Sequence, residues 1–134
     1  MANIGLVCNL MIDKPIFQKF KSTDKQLYKQ SVDLRNAVVT TFSSYQKDKN
    51  TMQLVSFAVS AEYQRNGFGT SLLCWAIADF RKQGYQRVTL SARASAHDFY
   101  LKQGFEDTEK PKLNSYLNVM DFDMQYTITP KWYQ

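Results

Sequence analysis

A polar stretch with two glycines, Gln64 to Thr70, is the part of the sequence best suited to bind an anion. Gly67 and Gly69 have no Cβ, so a ligand can approach the backbone closely. Helix-forming residues follow, and the first turn of a helix has N–H groups without intrahelical acceptors and a partly positive end. Arg65 adds a positive charge. These residue types in this order predict a seat for a phosphate or pyrophosphate.

Two predicted elements hold this stretch in place. The residues before it, Leu54 to Val59, are rich in Val and Phe and predict a strand. This strand belongs to an antiparallel hairpin formed by Ala37 to Tyr45, a polar turn at Gln46 to Asn50, and Thr51 to Val59. A helix from Phe68 to Lys82 is predicted after the stretch by an apolar face made of Leu72, Leu73, Ala76, Ile77 and Phe80. The stretch therefore joins a strand end to a helix start.

The rest of the chain is expected to complete a mixed sheet. A strand over residues 86–92 follows the helix and should lie parallel to the strand before it. A short helix over 95–103 and an antiparallel strand pair over 105–113 and 116–128 come next.

The N-terminal quarter is predicted as a strand over residues 3–12, followed by one or two helices over 15–34 with an N-cap at Ser22 to Asp24. The order β, α, β, β, α, β, α, β, β predicts an α+β fold with a mixed sheet.

Composition restricts the class of protein. The 134 residues are 44% hydrophobic and 22% charged, which predicts one soluble globular domain over 1–134. The net charge of +5 favours an anionic ligand but is too dispersed to indicate nucleic acid. No apolar run reaches the ~18 residues of a membrane span. Cys8 and Cys74 form no metal-ligand pattern, and Cys74 is expected to be a buried free thiol in a reducing, cytoplasmic compartment.

Known phosphate motifs fit the stretch only in part. A Walker A loop needs Gly-Lys-Ser or Gly-Lys-Thr at its end, and that sequence is absent here. The dinucleotide fingerprint needs a third glycine where Leu72 stands. What remains is Gln-x-x-Gly-x-Gly after a strand. A βα turn that binds no ligand is expected to show this pattern about as often as one that binds a phosphate.

A second motif, Phe99-Tyr-Leu-Lys-Gln-Gly-Phe105, follows one helix and one strand later. Together with Gln64 to Gly69 at this separation, it resembles the GCN5-related N-acetyltransferase (GNAT) superfamily. The resemblance covers residues 51 to 107 and, more loosely, the final two strands. It implies the acyl-CoA N-acyltransferase fold, a central mixed sheet flanked by helices, with a shortened N-terminal region.

The resemblance also implies acetyl-coenzyme A as the cofactor. Its pyrophosphate is expected on the stretch from Gln64 to Thr70. The strand ending at Val59 is expected to splay from the next one, and its unpaired backbone groups would bind the amide-rich pantetheine arm. The expected cofactor-binding residues are Phe57, Ala58, Val59, Gln64, Arg65, Asn66, Gly67, Phe68, Gly69, Thr70, Arg93 and Tyr100.

Catalytic roles follow from the same resemblance. Tyr100 matches the tyrosine that protonates the departing thiolate of coenzyme A, as a general acid. Direct transfer in a ternary complex is implied. Glu62 and His97 are both candidates for the general base, and no motif decides between them. Arg93 stands where many members carry Asn, although another branch has the pattern Ala-Arg-x-Ser-Ala.

The expected activity is N-acetylation of a primary amine on a small molecule or a protein. Because the first 36 residues leave little room for the usual substrate-side helices, a homodimer or another protein partner is a candidate for completing the substrate site. The same short N-terminal region also favours an alternative function, that of a catalytically weak coenzyme A-binding module that acts through protein contacts. A nucleic-acid-binding domain is a further alternative that only charge and aromatic content favour. No membrane partner is expected.

Overall fold

The structure, a computed structural model, describes residues 14–22, 27–35 and 37–128. Eight strands and two α-helices lie in these ranges, in the order β-β-β-β-α-β-α-β-β-β. The strands are β1 (Ile16–Lys21), β2 (Leu27–Leu34), β3 (Ala37–Asp48), β4 (Thr51–Val59), β5 (Arg87–Arg93), β6 (Glu106–Asp107), β7 (Lys112–Asn114) and β8 (Val119–Thr127). The helices are α1 (Phe68–Lys82) and α2 (Ala94–Lys102), and a 3₁₀ turn spans Ala61–Tyr63.

The strands form one mixed sheet in the order β1-β2-β3-β4-β5-β8-β6, with β7 also paired to β8. Every neighbouring pair is antiparallel except β4 and β5, which are parallel. The parallel pair is the one that α1 connects, as a crossover connection requires. The predicted hairpin is confirmed as β3 and β4, with Lys49 and Asn50 at its turn.

The helices cover one face of the sheet and create the core there. Side chains alternate along β5, so Val88, Leu90 and Ala92 are buried while Ser91 and Arg93 are exposed on the opposite face. The apolar face of α1 is buried as predicted, and each of its fully buried Leu and Phe side chains contributes about 1.5–3 kcal/mol.

Helix ends follow the glycines of the sequence. Gly84 and Gly104 have φ angles of 90° and 98° and come one residue after the C-caps of α1 and α2. This left-handed conformation favours glycine and ends both helices near the predicted residues. Among the described residues, no helix is long and apolar enough to cross a membrane.

The predicted helices over residues 15–34 are wrong, because β1 and β2 occupy this segment and pair antiparallel with each other. Apolar residues at Ile16, Phe17 and Phe20 fit a helix face and an edge strand about equally, and pairing of β1 with β2, which itself pairs with β3, favours the strand. The helical N-cap expected at Ser22 is therefore not formed. The rest of that cap and the strand predicted over 3–12 lie outside the described residues.

The edge strand β1 is held against α1 by two side chains. The Phe17 ring packs against Trp75 with centroids 5.4 Å apart, and Lys19 Nζ donates to Asp79 Oδ2 at 2.6 Å. The Phe17 and Lys19 side chains therefore project from the face of the sheet that α1 covers.

Cys74 is a free thiol, but the prediction that it is buried is wrong, because its side chain is exposed. At 100° per residue, position 74 lies about 130° from the centre of the apolar stripe of α1 and so faces solvent.

Candidate active site

The N-terminus of α1 presents unpaired backbone donors. The helix begins after Gly67, and no side chain caps it. Ser71 N–H donates to the Gly67 carbonyl at 2.9 Å. The amides of Phe68, Gly69 and Thr70 have no acceptor within the described chain. Three free donors and the positive end of a helix are the features that bind an anion.

Backbone conformation shapes this seat. Arg65 and Gly67 have φ angles of 69° and 81°, so the turn contains two left-handed residues. A Cβ added at Gly67 would meet nothing within 4 Å, whereas one at Gly69 would lie 3.4 Å from Val59 Cγ2 and 3.5 Å from the Phe57 ring. Gly67 is therefore needed for its backbone angles, and Gly69 lets the helix pack closely on the end of β4.

A cavity of about 350 Å³ lies on the seat. Residues from the end of β4, the 3₁₀ turn, the stretch from Gln64 to Thr70 and α2 line it: Val59, Tyr63, Gln64, Arg65, Gly67, Phe68, Gly69, Thr70 and Phe99. The structure thus brings together most of the predicted phosphate-binding residues around one open space.

Strands β4 and β5 splay apart beyond their first residues. They pair only at Thr51 with Arg87, Met52 with Val88, and Gln53 with Thr89. Beyond this point β4 continues to Val59 and β5 to Arg93, leaving a wedge between two strand edges. Backbone groups along such an edge need partners, and an extended amide-containing ligand can supply them.

A bulge in β4 faces this wedge. Ser56 has a φ of 58°, and the register with β3 shifts where Ser43 pairs with Val55 and Thr41 with Ala58. A bulge of this kind re-aims the neighbouring side chains. Phe57, next to Ser56, packs against Phe42 on one side and Tyr100 on the other, at centroid distances of 5.6 and 6.0 Å.

Tyr100, on α2, lines the wedge beyond the paired residues of β4 and β5. Its side chain is 6% exposed and is surrounded by the rings of Phe57, Phe99 and Phe105. Its hydroxyl makes no hydrogen bond within the described residues. Burial raises the pKa of Tyr100 to about 12. The phenol therefore stays protonated throughout the working range of an enzyme and can donate toward a developing negative charge.

Two further cavities meet at Tyr100. One of about 440 Å³ runs from Gln64 and Arg65 along Phe57 to Val59 and reaches Tyr100. The other, about 510 Å³, lies beyond Tyr100 and is lined by Ser56, Phe57, Ser91, Ala92, Arg93, Ser95, Ala96 and Tyr100. The wedge therefore leads from the anion seat, past Tyr100, to a polar space at its far end.

The two candidate bases lie apart from these cavities. Glu62 is exposed on the 3₁₀ turn and lines none of the three. His97 is stacked on Phe122, 4.1 Å between centroids, and its Nε2 lies 2.8 Å from Asp107 Oδ1. His97 thus joins α2 to β6 and β8. Asn66, which was expected at the phosphates, does not line the seat cavity, and Arg93 lines only the cavity beyond Tyr100.

Gln103, to which the sequence motifs assigned no role, links the two helices at the site. Its Nε2 donates to Thr70 Oγ1 at 3.2 Å and so ties the C-terminal end of α2 to the first turn of α1. The sequence signal for Gln103 is its position in the second motif, directly before Gly104.

Comparison with known proteins agrees with this geometry. The family described as "Acetyltransferase (GNAT) domain" matches residues 11–127. No curated protein matches the sequence closely enough to count as a relative.

Solved structures with the same fold include acetyltransferases determined with their ligands. An aminoglycoside 6′-N-acetyltransferase complexed with coenzyme A aligns at TM-score 0.71 and 14% identity, covering 81% of this chain and 76% of that one. A GNAT acetyltransferase from Elizabethkingia anophelis with acetyl-CoA bound aligns at TM-score 0.70 and 14% identity, covering 86% and 99%.

A third similar structure, described as a putative N-acetyltransferase from Lactobacillus plantarum, aligns at TM-score 0.72 and 19% identity, covering 82% of this chain and 75% of that one. These TM-scores show the shared fold, and the family match spans most of the chain. The sheet, its single parallel pair and the glycine turn at α1 are therefore those of a GNAT domain, and this chain belongs to the GNAT acetyltransferase family.

Proposed function

We propose that the protein transfers an acetyl group from acetyl-coenzyme A to a primary amine. The observation that carries this proposal is the continuous path from three free amides at α1, through the wedge between β4 and β5, to the Tyr100 hydroxyl. An anion seat alone would suit many ligands. A seat joined to an unpaired strand edge and a proton donor suits a phosphate-bearing thioester with an amide-containing arm.

The residues present fit acetyl-coenzyme A. The amides of Phe68, Gly69 and Thr70 would hold the pyrophosphate, with Arg65 adding charge. The end of β4, from Phe57 to Val59, would hold the pantetheine arm, because β5 leaves its edge unpaired there. Similar structures determined with coenzyme A or acetyl-CoA support this assignment.

Acetyl-coenzyme A supplies the acetyl group as a thioester, whose sulfur must leave as the new amide bond forms. Tyr100 Oη holds a proton at the meeting point of two cavities, so it would donate to the departing sulfur. The cavity beyond Tyr100 would admit the amine from the side of the sheet away from the seat. Among the described residues no Cys lines either cavity, and none of the lining serines, Ser56, Ser91 and Ser95, is hydrogen-bonded to a His or a carboxylate that could activate it. This supports direct transfer in a ternary complex over an acyl-enzyme.

The general base is not assigned to Glu62 or His97. Glu62 lies outside the cavities, and His97 already contacts Asp107. We propose instead that water carries the proton away from the ammonium group, or that the amine binds in its neutral form.

Release of free coenzyme A thiol from acetyl-CoA, measured with a panel of primary amines, tests the proposed function. We expect acceptor-dependent thiol release and the acetylated amine by mass spectrometry. Coenzyme A binding without acceptor-dependent release for any amine, peptides with free N-termini and lysines included, would favour the weak coenzyme A-binding module. Binding to nucleic acid without binding to coenzyme A would contradict the whole assignment.

The pH dependence of the reaction tests the state of Tyr100. Since burial raises the pKa of Tyr100 to about 12, its proton is present at every pH below that value and is lost only above it. We expect kcat/KM to rise from pH 6 toward the pKa of the acceptor amine and then stay level through pH 10.5. A descending limb near pH 10 that disappears in Tyr100→Phe would show an unperturbed phenol and contradict this description.

A further inference from the structure

The cavity beyond Tyr100 is lined by a positively charged side chain. Among the described residues, Arg93 is its one charged lining residue, and three serines, Ser56, Ser91 and Ser95, supply hydroxyl groups around it. Arg93 is exposed, precedes α2 as its N-cap, and forms no ion pair within the described chain. A guanidinium with neighbouring hydroxyls is a good partner for a carboxylate or another oxyanion.

Two acids of β8 lie across the strand pair from this cavity, and each accepts a hydrogen bond from another residue. Asp121 stands opposite Arg93 in the strand register, and Asp123 stands opposite Ser91. Asp121 Oδ2 accepts from Asn114 Nδ2 at 3.2 Å, and Asp123 Oδ2 accepts from Lys112 Nζ at 3.3 Å. Neither acid lines the cavity beyond Tyr100. Asp121 faces Arg93 from outside the cavity and is bonded to a neutral amide. Among the described residues, the charged side chain that an acceptor in the cavity would contact is therefore Arg93.

This charge acts on the amine itself. A nearby positive group disfavours the ammonium form and so favours the neutral amine, which is the nucleophile. A cationic acceptor with several ammonium groups would be repelled, because no lining carboxylate attracts it. An acceptor that also carries an anion would bind through Arg93 and still present a neutral amine.

From these observations, and resting on the proposed function, we infer that the acceptor is a primary amine bearing a carboxylate or similar anionic group, which Arg93 binds with help from Ser91 and Ser95. The sequence motif alone placed Arg93 at the cofactor. Its position in the far cavity assigns it to the acceptor, as a specificity-determining residue.

Matched pairs of acceptors test this inference through kcat/KM for thiol release. Suitable pairs share a skeleton and differ only in the anion: leucine and leucinamide, phenylalanine and phenethylamine, and β-alanine and propylamine. We expect the carboxylate member of at least one pair to be preferred by about tenfold or more. In Arg93→Gln the preference should fall by about tenfold, mainly through KM, and Arg93→Lys should restore part of it.

Two controls separate this inference from the proposed function. Lys110→Gln removes one exposed positive charge that lines none of the three cavities, and it should keep the preference of the wild type. If the uncharged members of the pairs are used as well as or better than the carboxylate members, and Arg93→Gln does not change this, the acceptor inference is overturned while the transferase function stands. No thiol release with any pair, despite coenzyme A binding, would overturn both.

Discussion

Replacing Tyr100 with Phe is expected to reduce kcat by about a hundredfold to ten-thousandfold, the range that a positioned general acid contributes. The substitution removes only the hydroxyl, and that hydroxyl has no hydrogen-bond partner in the described chain. The surrounding rings of Phe57, Phe99 and Phe105 keep their packing. Folding stability and coenzyme A affinity should therefore change little while the chemical step slows.

Single-turnover thiol release at saturating acceptor measures this effect, because it isolates chemistry from product release. Tyr116→Phe is the matched control, since Tyr116 is 99% exposed and loses the same hydroxyl far from the core. An unchanged single-turnover rate in Tyr100→Phe, with the control also unchanged, would remove Tyr100 from the mechanism.

Replacing Gly67 with Glu should abolish measurable coenzyme A binding. A side chain at Gly67 meets no protein atom at its Cβ and would extend from a residue that lines the seat cavity. A carboxylate there repels the pyrophosphate and competes for the free amides of the α1 N-terminus. We expect a loss in affinity of about a hundredfold or more, measured by isothermal titration and by thermal stabilisation with added coenzyme A.

Gly67→Gln is the control for backbone strain and side-chain size. Both variants place a Cβ on a residue with a φ of 81°, which costs about 1–2 kcal/mol of folding stability. Since only Glu adds charge, Gln should weaken binding much less than Glu does. Wild-type stabilisation of the Glu variant by coenzyme A would contradict the seat, and equal losses in both variants would assign the effect to strain.

The central part of the fold was predictable because its signals are local. The β3–β4 hairpin, α1 and α2 follow from β-branched runs, helical spacing and glycines at helix ends, and each lies near its predicted residues. The relation between β4 and β5 also follows from the sequence, since a crossover helix requires parallel strands.

The early segment was not predictable in the same way. The spacing of Ile16, Phe17 and Phe20 fits two kinds of element. Only the pairing of β1 with β2, and of β2 with β3, decides between them. Cys74 was misjudged for a different reason: its helical position faces solvent, although the residues around it are apolar.

At the site, the sequence identified residue types but not distances. The seat and Tyr100 follow from two motifs, and the structure brings them to one wedge. The bulge at Ser56 depends on strand register, and the Gln103–Thr70 hydrogen bond joins two helices 33 residues apart in sequence. Neither feature has a signature that composition or periodicity could reveal. The placement of Arg93 beyond Tyr100 likewise depends on where α2 begins.

A crystal structure with coenzyme A bound would test the proposed binding mode. We expect phosphate oxygens within hydrogen-bond distance of the amides of Phe68, Gly69 and Thr70, and the pantetheine arm between β4 and β5 with its sulfur near Tyr100 Oη. Coenzyme A bound elsewhere, or with its sulfur far from Tyr100, would contradict both the cofactor site and the role of Tyr100.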